Sequence, residues 1–464
     1  MTNPLTRPQH IAALLTLGLP LGGSHLAQML LHVTDTILLG WYGVTDLAAV
    51  VVAGSSFFVV FILGSGFAQA IMPMVSQALG RGDETQVRRD TRMGLWLSIL
   101  YGALTYPIFW TSGDWLQALG LGSGVALLGQ DFLRIAGFGM IPALIIMAMK
   151  SYLSALARTQ VVLWSTLVAV VVNGLLAYPL IFGAWGMPEL GIRGAAVASL
   201  LVQCLNALIL VIYAATLPAL RPYRLFQRFW RPDWHAFGQV FRLGWPIGIT
   251  GVAEAGLFHA SALMMGWVGT VALAAHGIAM QAVSLTFMVH LGLSNAATVR
   301  TARFSGEGNA AALREGAKMA ILISTCFGLA MVAVFLIFPV QILSLFTDLS
   351  KPEAAEILII GTGLLAVAAL FQMTDAMQVI ALGLLRGIKD TRVPMWAAAV
   401  SYWLIGIPAS YILAFPLGYG GIGLWAGIVI GLGVAASALM LRFWMLAPKV
   451  AKPADPAQLH ASGA

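Results

Sequence analysis

The sequence predicts an all-α polytopic membrane protein: twelve transmembrane helices in two pseudo-symmetric six-helix lobes, with both termini cytoplasmic. Composition, the sidedness of the basic residues and an internal repeat carry that expectation. Of 464 residues, 59% are hydrophobic and 9% charged, where an ordinary soluble domain carries about 25% charged residues. Too little polar surface remains to face water. A hydrocarbon core of roughly 30 Å takes about 20 apolar residues per helix, which leaves room for about a dozen spans. Continuous apolar runs of this length argue against an outer-membrane barrel, whose strands alternate over about 10 residues.

Cutting the chain at charges and Gly/Pro clusters places helices over 10–41, 46–79, 92–112, 128–156, 160–183, 192–217, 240–267, 271–304, 313–340, 354–386, 392–416 and 422–447. The first follows Arg7, as the apolar stretch of a signal peptide would, but it is too long and no A-x-A-like cleavage site follows it. It is expected to stay attached. With the N-terminus inside, 22 of the 25 Lys and Arg fall on the cytoplasmic side, and only Arg134, Arg193 and Lys351 fall outside. A missed or invented span would destroy that split, so it supports an even helix count with both ends inside. It also accounts for the net charge of +7 better than a nucleic-acid partner does. The two cysteines, Cys204 and Cys326, lie in apolar runs, and no disulfide is expected.

Residues 17–53, LGLPLGGSHLAQMLLHVTDTILLGWYGVTDLAAVVVA, align without a gap on 243–279, LGWPIGITGVAEAGLFHASALMMGWVGTVALAAHGIA, with 13 of 37 positions identical. The offset of 226 continues through Gly80-Arg-Gly82 against Gly306-Glu-Gly308, and through Arg88 against Arg314. The chain is therefore a duplicated six-helix unit: an N-terminal lobe over 1–217, a polar linker over 218–239, a C-terminal lobe over 240–447 and a tail over 448–464 expected to be disordered. Because six is even, both copies start on the same side, with their axis along the membrane normal. Two bundles with a cavity at their interface suit alternating access. A duplicated chain already supplies both halves of a pathway, so a monomer is expected.

Of 18 acidic residues, fifteen lie in loops, helix ends or tails, and three do not: Asp35, Glu254 and Asp375. A charge near the bilayer centre costs roughly 2.5–3.5 kcal/mol on insertion scales, so chance is a poor explanation. Counting about 1.5 Å per helical residue from the basic inner rim puts Glu254 roughly 18 Å deep and Asp375 roughly 16 Å deep. Both belong to the second lobe, where one ion or proton can be shared. Asp35 belongs to the other lobe. Gln372 and Gln378 flank Asp375 at three residues on either side, on one helical face. In the first helix His25, Gln28, His32 and Asp35 form a stripe that the repeat matches to Gly251, Glu254, Phe258 and Ser261. The count places no Lys or Arg inside the membrane to pair with these acids. A buried carboxylate without a fixed partner takes up a proton or binds a cation, and exchanging that cation between conformations couples a gradient to movement.

The chain lacks G-x-x-x-x-G-K-[ST], H-E-x-x-H and G-x-S-x-G, so it shows no phosphate loop for ATP and no machinery of those zinc or serine hydrolases. No catalytic residue and no cofactor is expected, and the protein is read as a carrier.

Three stretches carry a family resemblance: LGLPLGGSHLAQMLLHVTDTILLGW, AEAGLFHASALMMGWVG and ALFQMTDAMQVIALGLLRGIKD. In order, and at matching places in the two lobes, they resemble the multidrug and toxic compound extrusion (MATE) family in its NorM-like bacterial branch, over about residues 8–447. The resemblance implies an inner-membrane antiporter that exports cationic amphipathic compounds in exchange for Na⁺ or H⁺. Glu254 and Asp375 then look like the coupling-cation site, with Na⁺ as the candidate metal, and Asp35 like the acid of the N-terminal lobe. Asn173 matches a polar position near that acid, and Gln281 sits where relatives line the second lobe. Gln28, His32, Phe371, Gln372 and Gln378 complete the expected polar and cavity set.

The chain also departs from the family pattern. Relatives often carry tyrosine at the position of Phe371, so a hydroxyl for Na⁺ is missing there, and Ala177 replaces a polar residue near Asp35. His25 and His32 are candidate proton relays, since histidine titrates near physiological pH. Acids, 20 Met and many aromatics in the chain suit bulky cations through cation–π contacts and adaptable thioethers. A lipid-linked precursor flippase of the wider superfamily is the alternative. Its anionic cargo generally requires basic residues in the cavity.

Overall fold

The structure is a computed structural model that describes residues 6–346 and 354–450. Lys351, Lys452 and most of the tail expected from residue 448 lie outside the described residues. The twelve expected spans form as twelve helices long and apolar enough to cross a membrane: α1 Arg7–Tyr42, α2 Val44–Gly80, α3 Glu84–Trp110, α4 Ser123–Ala155, α5 Thr159–Phe182, α6 Ile192–Thr216, α7 Trp234–Val268, α8 Thr270–Gly306, α9 Ala310–Ile337, α10 Ala354–Gly387, α11 Arg392–Ala414 and α12 Gly420–Lys449. No strand occurs among the described residues. The protein is a multi-pass membrane protein.

Several helices exceed the length the bilayer requires, and the excess is polar. α3 starts eight residues before the expected position 92 because Asp83 caps it, accepting a hydrogen bond from the Gln86 backbone N at 2.9 Å. The repeat places Asn309 at the equivalent point, and it caps α9 by accepting from Ala312 N at 3.0 Å. Each cap follows a left-handed glycine, Gly82 at φ +72° and Gly308 at φ +68°. Glycine takes that conformation without the steric penalty of a side chain. One turn, copied with the duplication, therefore ends α2 and α8 in the same way.

The described residues group into two compact units, one drawn from Met1–Gly22 and Thr250–Ala464, the other Gly23–Ile249. The division runs inside α1 and α7, and glycines explain it. In the first unit Gly18 and Gly22 of α1 lie against Gly292 of α8, where a Cβ would collide with the Gly22 backbone. In the second, Gly244 and Gly248 of α7 lie against Gly66 of α2, where a Cβ would meet the backbone of Gly248. These are the same contacts in the two repeats, each built on Gly-x-x-x-Gly. Small residues at this spacing let helix backbones approach closely in a membrane, where apolar burial alone does not drive helices together.

The unit Gly23–Ile249 has a core around Phe109, Leu133, Ile181 and Ile192. The polar connection after α6 is fastened within this unit: Trp96 Nε1 donates to Phe229 O at 2.9 Å, Arg92 Nη1 donates to Arg228 O at 3.0 Å, and Arg89 pairs with Asp233 at 2.9 Å. The other unit is built around Leu364, Phe371, Tyr402 and Trp425. There α11 contains a π-helical stretch, Val400–Gly406. π-Bulges inside α-helices commonly mark functional sites, because the extra residue rotates the following side chains onto a new face.

Candidate functional site

In the unit that holds most of the second repeat, α7, α10 and α11 bring four of the expected and unexpected polar groups together. Asp375 is 1% exposed, and its Oδ1 is buried without a hydrogen-bond partner. Glu254 Oε1 is buried and unpartnered as well. The two carboxyl groups lie within reach of each other's charge, and Tyr402 lies within reach of both. Gln378 Nε2 donates to the Tyr402 hydroxyl, while Gln378 Oε1 is left unpaired. Three acceptor oxygens, from Glu254, Asp375 and Gln378, are thus buried with no donor. A buried acceptor left without a partner costs about 1–3 kcal/mol, so a proton, a cation or a water bound among these oxygens is stabilised there.

Gln372 turns to another neighbour: its Oε1 accepts from Thr286 Oγ1 at 2.7 Å, and its Nε2 is unpaired. Phe371 is a packing residue, edge-on to Phe258 at 6.0 Å and to Trp425 at 5.5 Å between ring centroids. Trp425 Nε1 in turn donates to His276 Nδ1 at 3.0 Å. Gln281 is half-buried on α8, and no hydrogen bond joins it to either acid. Among the described residues no group of three or more His, Cys, Asp or Glu is placed to hold a metal ion.

The unit Gly23–Ile249 treats its acid differently. Asp35 Oδ1 accepts from Asn173 Nδ2 at 2.7 Å, and Oδ2 accepts from Ser199 Oγ at 2.7 Å. Asn173 is therefore beside Asp35. Both distances fall in the short range of bonds to a charged acceptor. His32, one helical turn before Asp35, is exposed and within reach of its charge. Gln28 accepts from Lys150 Nζ at 3.4 Å.

Lys150, counted on the cytoplasmic side near the end of the helix expected over 128–156, lies on α4 and is packed inside the protein, 4% exposed. Arg386, expected at the inner rim, sits in the last turn of α10 within reach of the Glu254 charge. The interior is not devoid of basic groups. Sequence reasoning also missed Tyr402 and Ser199. Tyr402 offers a hydroxyl that the Phe371 position lacks, and the π-helical phase of α11 hid it. Ser199 is one small residue in an alanine-rich helix, with nothing in its surroundings to set it apart.

The fold is that of a multi-pass membrane protein built on a duplicated helical unit, with a polar centre in each of the two units. The MatE family model matches residues 20–179 and 246–412, one segment in each repeat. A probable multidrug resistance protein NorM of Rhizobium meliloti is 46% identical over 443 residues, covering 96% of this chain and 95% of the relative. Its counterpart in Agrobacterium fabrum is 45% identical and covers 96% of each chain. Among solved structures, the eukaryotic MATE transporter AtDTX14 superposes with a TM-score of 0.83 at 21% identity, covering 96% of this chain and 99% of its own. A MATE transporter in the straight conformation gives 0.86 at 21% identity, covering 96% of this chain and 97% of its own. The chain belongs to the MatE family of transporters.

Proposed function

We propose that the protein is a secondary active multidrug efflux antiporter of the bacterial inner membrane, exporting cationic amphipathic compounds by alternating access in exchange for Na⁺ or H⁺. The observation that carries this reading is the trio of unpartnered oxygens on Glu254, Asp375 and Gln378, beside the Tyr402 hydroxyl. Oxygen donors of this kind suit a hard cation. A proton satisfies the same carboxylates one at a time. The absence of a larger acid or histidine cluster among the described residues favours a monovalent ion over a resident metal. In this reading Glu254 and Asp375 carry the coupling cation, Tyr402 and Gln378 hold the set in place, and Asp35 with Asn173 and Ser199 receives cationic cargo. The protein acts as a monomer with both termini cytoplasmic, and it engages no nucleic acid.

An anionic lipid-linked precursor is the alternative cargo. One buried amine, Lys150, favours it. Three membrane-embedded acids oppose it. Proteoliposomes loaded with ethidium, with a Na⁺ gradient and an H⁺ gradient imposed separately, test the choice. Dye movement driven by either gradient supports the antiporter. No movement under either, with tighter binding of an anionic lipid precursor than of ethidium, reverses the reading.

A further inference from the structure

The connection after α6 carries arginines for which the transport reading has no use. One of them, Arg224, borders with the start of α3 a cavity of about 380 Å³, lined by Glu84, Thr85, Arg88, Pro222 and Arg224. All five residues belong to the unit Gly23–Ile249. Glu84 and Arg88 stand four residues apart on α3, a spacing at which an acid and a base normally pair along a helix. Among the described residues, however, no ion pair engages Glu84, Arg88 or Arg224. Three charges are thus parted around one space instead of closed on each other. Arg88 is not neutralised from behind either. Buried Arg92, one turn further on, has Arg88, Arg89 and Arg231 within reach of its charge and one acid, Asp233, which Arg89 holds at 2.9 Å.

The length of α3 fixes the level of this cavity. Trp110, half-exposed at the far end of α3, is the kind of residue that anchors at a membrane–water interface. Arg88 precedes it by 22 residues, about 33 Å along the axis, against a hydrocarbon core of roughly 30 Å. The cavity therefore lies at the level of the opposite headgroups. Trp230 and Trp234, exposed on the same connection, are further interface residues.

Two guanidiniums and a carboxylate around one space select for both signs of charge. A simple anion is drawn to the arginines and repelled by Glu84, and a simple cation meets the reverse. A phosphate with a primary ammonium beside it satisfies the whole set, because guanidiniums donate to phosphate oxygens and a carboxylate accepts from an ammonium. We propose that this cavity binds the phosphoethanolamine headgroup of a membrane phospholipid, with the phosphate on Arg88 and Arg224 and the ammonium on Glu84. Basic pockets at a membrane surface hold lipid headgroups in this way. The bound lipid ties the connection between the repeats to the start of α3, beside the bonds that Arg92 and Trp96 already make to it. The site is independent of the cargo and of the coupling cation.

The test is native mass spectrometry of the full-length chain in detergent, titrated with phosphatidylethanolamine, phosphatidylglycerol and phosphatidylcholine of identical acyl chains. Gel filtration confirms that each variant is folded. Wild type is expected to hold phosphatidylethanolamine most tightly. Arg88→Gln with Arg224→Gln is expected to weaken it about tenfold, the scale of a lost charge-assisted bond, whereas Arg88→Lys with Arg224→Lys retains most of the affinity. Glu84→Gln is expected to weaken phosphatidylethanolamine and strengthen phosphatidylglycerol, reversing their order. Equal binding of the three lipids to wild type overturns the proposal, as does an unchanged order in Glu84→Gln. Soluble phosphoethanolamine, added as a competitor, separates the two sources of this headgroup. It is expected to displace the lipid only at far higher concentration, and displacement at equal concentration overturns the lipid as the occupant.

Discussion

Asp35 and Asp375 are single carboxylates within long apolar helices, and the two units handle them in opposite ways. Asp35 has a donor on each oxygen, Asn173 and Ser199, both at 2.7 Å. Asp375 has a buried oxygen with no donor, next to Glu254 and Gln378 in the same condition. A carboxylate bonded on both oxygens is preorganised to stay in place and present a fixed charge. A cluster of unsatisfied acceptors is unstable by itself and gains from an arriving cation or proton. Duplication copied the frame, including the capping turns and the glycine contacts, and the polar chemistry then diverged at single positions. The contrast suggests a division of labour, with cargo recognised in one unit and coupling performed in the other.

The largest expected effect is on Asp375. Asp375→Asn removes the charge but keeps the shape, and gradient-driven dye transport in proteoliposomes is expected to fall to the level of empty vesicles, while the purified protein still elutes as a folded species. Next is the shared frame. Gly292→Leu puts a side chain where even a Cβ meets the α1 backbone, and overpacking of this kind costs about 1–3 kcal/mol, occasionally more. A lower Tm in detergent and a reduced folded yield are the expected readouts. Ser199→Ala follows: it strips one of the two donors from Asp35, and a hydrogen bond to a charged group is worth about 1.5–3 kcal/mol, so cationic dye Kd is expected to rise by roughly tenfold or more without a change in gradient dependence. The smallest is Tyr402→Phe. It removes a hydroxyl bonded to Gln378, and a typical loss of about 0.5–1.5 kcal/mol predicts a few-fold rise in the cation concentration needed for half-maximal transport. A larger effect on dye affinity than on the cation would blur the comparison.

The sequence made the frame legible because its signals are periodic. Apolar runs, basic sidedness and a constant offset all average over many residues, and the rise of a helix converts spacing into depth. That arithmetic paired Glu254 with Asp375, and the structure brings their charges within reach. Legibility ended where one residue or one irregularity decides. Tyr402 reaches the acids from a π-helical segment, which breaks the 3.6-residue phase used to read faces. Lys150 sits five residues before the end of α4, close enough to the rim that counting placed it on the cytoplasmic side, and counting carries no sign that it is buried. Phe371 carries no hydroxyl and packs between two aromatic rings, whereas Tyr402 on α11 brings a hydroxyl to Gln378. The division of the units inside α1 and α7 follows from glycines whose role depends on which helix they meet.

The most direct measurement of the division of labour compares Asp35→Asn and Asp375→Asn on the same two readouts: equilibrium Kd for a cationic dye in detergent, and dye transport driven by an imposed Na⁺ or H⁺ gradient in proteoliposomes. The account predicts that Asp375→Asn binds dye within about twofold of wild type but no longer responds to either gradient, whereas Asp35→Asn loses dye affinity by tenfold or more, consistent with the removal of one charged partner. If Asp375→Asn loses dye binding and Asp35→Asn keeps it, recognition lies with the unsatisfied cluster, and the division between the two units is wrong.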